Sequence, residues 1–220
     1  MAPGTPRLTP QQARSARDAG VLLIDLRPHA EFATGYIPGS INVMFSRKSL
    51  PERVATAIPP GPPIVLFSGE DAVAEAAAEA LRGVERNPLQ GIVAGGIEAW
   101  RRAGLPLVSL PQFSVADLWQ RLNGPHDGLV LIDVRESFEW DLGYIEGSLL
   151  IPLGEIWQRA EELDRGEELI LICEEGIRSS TAASILLHRG FTRAANVPGG
   201  FGDWFRANYS SVRPPKPPKR

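Results

Sequence analysis

The residues whose types and spacing could do chemistry lie in LILICEEGIRSSTAASILLHRGF, Leu169 to Phe191. Four apolar residues lead into Cys173, the single cysteine of the chain. A helical spacing follows, apolar through Ile185, Leu186 and Leu187, and Gly190 stops it. The pattern predicts a buried parallel strand, a tight loop and a helix, with the thiol at the strand's end. The N–H groups of such a loop and the helix dipole both face inward, which makes an anion nest. Thiolate is the nucleophilic form of cysteine, so this setting suits Cys173 to nucleophilic attack. The plainer alternative is that a lone cysteine after an apolar run is a small buried hydrophobe. Arg178 weighs against it. A cation in the first turn of a helix opposes the macrodipole, so its presence calls for an anion nearby. Gly176 lets the loop curl back without a Cβ clash.

The elements that must hold this loop occur twice. VLLIDLRPHAEFATGYIPGSINV matches LVLIDVRESFEWDLGYIEGSLLIPL, aligning Asp25 with Asp133, Arg27 with Arg135, Tyr36 with Tyr144 and Ser40 with Ser148. Further on, GGIEAWRRAGLP matches GGFGDWFRANY and sets Trp100 against Trp204. The repeat is domain-sized, so it marks a tandem duplication rather than a solenoid. Each half opens with a hydroxyl before a helix, Thr9 and Ser114. Strands are predicted at 21–25, 41–43, 64–67 and 91–93, and again at 129–133, 149–151, 169–172 and 194–197. In the first half helices are predicted at 10–19, 30–34, 50–58, 72–82 and 97–103, a pattern that the second half repeats. Continuous apolar strands separated by helices predict a parallel sheet covered on both faces. Residues 105–112, with two prolines, read as the linker, and RPPKPPKR at the end reads as a basic, proline-rich extended tail.

Composition narrows the field. The 220 residues suffice for two domains of about 100 each. A net charge of −3 leaves no nucleic-acid footprint, and no apolar run is long enough for a membrane span. The opening MAPGTPRLTP has no leader-like apolar core. A single cysteine excludes an internal disulfide and points to a reducing compartment, the cytoplasm. The histidines at 29, 126 and 188 show no metal spacing, and His188 is too far along the helix to serve Cys173 as a base.

Cys-x-x-Gly-x-Arg-Ser between strand and helix resembles the active-site loop of the rhodanese (sulfurtransferase) family. The D-x-R-x-x-x-E segment with G-Y-I-x-G-S, and the later GG-x-x-x-W, resemble that family's first and closing blocks in both halves. The resemblance spans nearly the whole chain. It implies two tandem α/β domains, 1–108 and 113–213, each around a mainly parallel five-stranded sheet flanked by helices, with the tail at 214–220. It implies that Cys173 carries sulfur as a persulfide, from a small-molecule donor such as thiosulfate or a persulfide to a thiol or cyanide acceptor, which could belong to a protein. The main chain of Glu174, Glu175, Gly176, Ile177, Arg178 and Ser179 is implied to cradle the sulfur, with Arg178 on the donor's anionic group. No cofactor or metal is implied.

Three features qualify the resemblance. Glu174 and Glu175 either form a solvated rim or oppose a dianionic donor, which puts thiosulfate in doubt. The first half has Ser68 in place of the cysteine, a shorter loop and no counterpart of Arg178, so it is expected to be non-catalytic. Asp25, Arg27, Asp133 and Arg135 read as structural ion pairs at strand ends. Strand ends face the ligand crevice in open α/β sheets, so Asp133 and Arg135 could also support Cys173 from behind. Two rival functions stay open: a Cys-x5-Arg phosphatase, disfavoured because only four residues separate Cys173 from Arg178, and a non-enzymatic redox sensor or scaffold.

Overall fold

The structure, a computed structural model, describes residues 4–124 and 128–214. The chain divides into two units whose main boundary falls between Leu110 and Pro111, with Leu187–Gly190 grouped with the first. His126 and the tail from residue 215 onward lie outside the described residues.

The first unit runs β1 (Arg7–Leu8), α1 (Pro10–Asp18), β2 (Leu22–Asp25), α2 (His29–Thr34), β3 (Ile41–Asn42), α3 (Leu50–Ala57), β4 (Ile64–Phe67), α4 (Asp71–Ala80), β5 (Leu89–Val93) and α5 (Gly96–Arg102). Thr9 starts α1 through a capping box, its hydroxyl accepting from the Gln12 N–H while the Gln12 side chain accepts from the Thr9 N–H. The five strands are ordered β1-β5-β4-β2-β3 and all pairs are parallel. The central strand β4, IVLF, and its neighbour β2, LLID, are buried along their whole length, as a sheet covered on both faces requires. Trp100 is fully buried and donates from Nε1 to Pro106 O at 3.0 Å, so the expected linker is tied to the core it follows. Burying each large apolar side chain of this kind contributes about 1.5–3 kcal/mol.

The second unit runs α6 (Val115–Asn123), β6 (Leu129–Asp133), a 3-10 helix (Ser137–Leu142), β7 (Leu149–Leu150), α7 (Ile156–Arg159) between two 3-10 turns, β8 (Glu168–Ile172), α8 (Ile177–His188), β9 (Ala194–Asn196) and α9 (Gly200–Arg206). Ser114 repeats the capping box with Asp117. Trp204 is buried and donates to Ser210 O at 2.9 Å, matching Trp100 in the first unit.

The second sheet differs from the five strands expected. It has four, in the order β7-β6-β8-β9, all parallel. The fifth edge survives as a single parallel bridge between Gln112 and Asn196. Proline explains the loss. In the first unit Ile92 N–H donates to Pro6 O and Ala94 N–H donates to Leu8 O, both at 2.9 Å. In the second, Asn196 N–H donates to Pro111 O at 2.9 Å, but the next donor position is Pro198, which has no N–H. The counterpart of α2 also differs, being a 3-10 helix. Among the described residues no helix is long and apolar enough to cross a membrane.

Candidate active site

β8 lies between β6 and β9, and its residues Leu169 to Ile172 are buried. It therefore delivers Cys173 to the carboxyl end of the sheet, where ligands gather in open α/β folds. Cys173 is a free cysteine and only 1% exposed. Ser179 Oγ lies 3.3 Å from its Sγ and donates to it. α8 begins at Ile177, and the Ser180 N–H closes its first turn on Gly176 O at 3.1 Å. The N–H groups ahead of Ser180 have no helical carbonyl to donate to, which is the anion-binding geometry of a helix start.

The loop is shaped from behind by the double glycine. Phe201 N–H donates to Cys173 O at 2.7 Å, and Gly202 N–H donates to Glu174 O at 3.1 Å. Gly200 has φ +58°, and a Cβ there would stand 2.4 Å from Cys173 O and 2.3 Å from Glu174 O. Gly176, with φ +81°, sits against Pro198 in the same way, a Cβ falling 2.3 Å from Pro198 O. Only glycine fits either position.

Arg178 is held within the chain. Its Nη1 and Nη2 donate to Glu139 Oε2 and Oε1 at 2.6 and 2.8 Å, a bidentate pair with a residue of the 3-10 helix. The anion that a cation at the helix start calls for is thus a protein carboxylate. Burial pushes the Glu139 carboxyl up, but hydrogen bonds from Arg178 and the Glu136 N–H, with the charges of Arg178 and Arg135, outweigh it and hold it below the ordinary range. The Glu139 hydrogen bonds push Arg178 up against the opposing effect of burial, so it stays charged. The segment D-x-R-x-x-x-E contains Glu139, and the acidic residue closing that segment was the available signal for this role.

Asp133 and Arg135 form a buried fork at the end of β6. Arg135 Nε and Nη2 donate to the Asp133 carboxylate at 3.0 and 2.7 Å, and Nη2 also reaches Gly143 O at 3.0 Å. Trp140 Nε1 donates to Asp133 Oδ2 at 2.8 Å, and Phe201 lies under the guanidinium at 4.0 Å. Arg135 Nη1 stands 3.7 Å from Glu174 Oε2, so the fork touches the residue after the cysteine. Glu174 is half-buried and Glu175 is exposed.

In the first unit Ser68 takes the cysteine's place, and Ile97 N–H donates to Ser68 O at 3.0 Å. The rest of that loop is different. α4 starts with Asp71, whose Oδ1 accepts from Gly95 N–H at 2.8 Å and whose other oxygen pairs with Arg7.

A cysteine at the end of a central parallel strand, facing a helix start and backed by a glycine turn, defines an α/β protein of the strand–cysteine–loop–helix type. A profile of the rhodanese-like domain matches residues 9–103 and 114–207, and the chain belongs to that family. It is 38% identical over 96 residues to the putative sulfur carrier protein YrkF of Bacillus subtilis strain 168, covering 44% of this chain and 51% of that one. It is 34% identical over 97 residues to the putative sulfurtransferase YtwF of the same organism, covering 44% of this chain and 92% of that one. The crystal structure of a thiosulfate sulfurtransferase from Pseudomonas aeruginosa aligns with 94% of this chain and 43% of its own, at 21% identity and a TM-score of 0.42. The chain thus spans about half the length of YrkF.

Proposed function

We infer that the chain is a sulfurtransferase whose reaction runs at Cys173. The thiolate attacks the outer sulfur of a sulfane donor. The donor's S–S bond breaks, Cys173 becomes a persulfide, and the remainder leaves as sulfite from thiosulfate or as a thiolate from an organic persulfide. An external thiolate or cyanide then takes the outer sulfur and restores the Cys173 thiolate. The acceptor is external because the chain has no second cysteine. The observation that carries this reading is the placement of Cys173 Sγ at the helix start, with Ser179 Oγ donating to it. Neither metal nor organic cofactor enters the chemistry. The names of YrkF and YtwF, sulfur carrier and sulfurtransferase, support it and make a protein acceptor a reasonable partner. The single thiol favours the cytoplasm as its setting.

The second unit, 113–213, carries the reaction in this reading, and the first, 1–108, is silent. A serine cannot hold a persulfide, and the Asp71 carboxylate occupies the start of α4, where an anionic donor would otherwise bind. The test is thiocyanate release from cyanide, with thiosulfate and an organic persulfide as donors. Cys173→Ser, nearly isosteric with the native side chain, is expected to abolish release with both donors while keeping the native circular dichroism. Turnover above background in the folded variant would remove Cys173 from the mechanism.

A further inference from the structure

We propose that Glu139 is the positioning residue that sets the charge of the sulfur donor, by holding Arg178 away from anion binding and so favouring persulfides of low charge over thiosulfate. The inference rests on the sulfurtransferase reading and deepens it.

Arg178 is the one cation in the segment from Cys173 to Ser179. Both of its terminal nitrogens donate to Glu139, at 2.6 and 2.8 Å, in a bidentate guanidinium–carboxylate pair. The pair is partly shielded, with the two side chains 32% and 17% exposed, so solvent competes for it only weakly. The other arginines touching the loop's surroundings are also paired. Arg135 is forked to Asp133, and Arg206, beside Gly202, pairs with Asp203. The loop itself carries two carboxylates, Glu174, which faces Arg135 Nη1 at 3.7 Å, and Glu175, which is exposed. A thiosulfate dianion nearing Cys173 therefore finds helix-start amides and guanidinium groups whose charge a carboxylate already balances. A persulfide brings its sulfur with less charge and needs only the amides. Glu139 sits 39 residues before Arg178, on another element, so it can change donor preference without touching the thiol.

Glu139→Gln keeps the shape and releases the charge. The ratio of kcat/KM for thiosulfate to that for the persulfide of 2-mercaptoethanol is expected to rise about tenfold or more, on the Coulomb scale of a unit charge a few ångströms away in partly wet surroundings. The gain should vanish in Glu139→Gln/Arg178→Gln, since it acts through the freed guanidinium. Calorimetric titration with inorganic sulfate supplies a readout independent of turnover: Glu139→Gln should bind sulfate about tenfold more tightly than the wild type. An unchanged donor ratio together with unchanged sulfate affinity overturns the proposal and leaves Glu139 as a structural brace. If wild type moves sulfur from neither donor, the sulfurtransferase reading fails, and the sulfate titration still decides whether Glu139 withholds Arg178. A poorly folded Glu139→Gln is replaced by Glu139→Ala, with the same expected signs.

Discussion

Phe201 N–H donates to Cys173 O at 2.7 Å, and Ile97 N–H donates to Ser68 O at 3.0 Å, the same bond in the two units. Each is made possible by the glycine just before the donor. Gly200 and Gly96 have φ of +58° and +51°, and a Cβ at Gly96 would lie 1.9 Å from Ser68 O. The glycine turn is therefore part of the fold in both units, while the residue that it backs differs, Cys173 in one and Ser68 in the other.

Gly200→Ala and Gly96→Ala are each expected to cost about 3 kcal/mol, from backbone strain at positive φ plus a clash with carbonyls that cannot move aside. Their effects on function should separate. Gly200→Ala pushes directly on Cys173 and Glu174, so sulfur transfer per folded molecule falls steeply. Gly96→Ala should leave transfer per folded molecule close to wild type. Thermal unfolding with the thiocyanate assay measures both. Stability within about 0.5 kcal/mol of wild type for either variant would show that the turn relaxes more easily than its geometry implies.

The repeat was the most legible feature of the sequence, because each half carries the same local instructions. Thr9 and Ser114 cap their helices as read, and the strands at Ile64–Phe67 and Leu129–Asp133 fall where the apolar runs place them. Local patterns of this sort are written in adjacent residues. The partner of Arg178 had one signal, the acidic residue closing D-x-R-x-x-x-E, but it lies in a segment that only the tertiary fold brings to the loop. The sequence did say that an anion was needed there, but not that the chain supplies it. The missing fifth strand of the second sheet had its signal in Pro198, yet a proline is informative only once the register tells which N–H it removes.

The first unit should not be made active by a thiol alone. Ser68→Cys in a Cys173→Ser background places a cysteine on the same glycine turn, but α4 begins at Asp71, and its carboxylate accepts from Gly95 N–H and pairs with Arg7. A negative charge in the first turn stabilises the helix and repels an anionic donor or a thiolate. Less than about a hundredth of wild-type transfer is expected, a loss of more than roughly 2.7 kcal/mol in transition-state stabilisation. Donor-dependent turnover near wild type would refute the argument from the loop.

The Glu139–Arg178 pair should also leave a mark on stability against pH. Burial raises the Glu139 carboxyl, but the hydrogen bonds and the cations facing it win, and it sits below its ordinary value of 4.5 in the folded chain. The folded state then binds the proton less readily than the unfolded state does. The stability contributed by the ionised carboxylate is fully present above about pH 4.5 and is lost as pH falls through the lower, folded value. Glu139→Gln has no such proton to bind. The difference in unfolding free energy between wild type and Glu139→Gln should thus be constant from about pH 7 to about pH 5.5 and shrink steadily below about pH 4.5. Comparing the two proteins cancels the titration of the carboxylates they share, provided both unfold in a single transition. Paired urea melts across this range measure it. A gap that stays flat to about pH 3, or widens on acidification, would mean that the carboxylate gains nothing from Arg178 in the folded state.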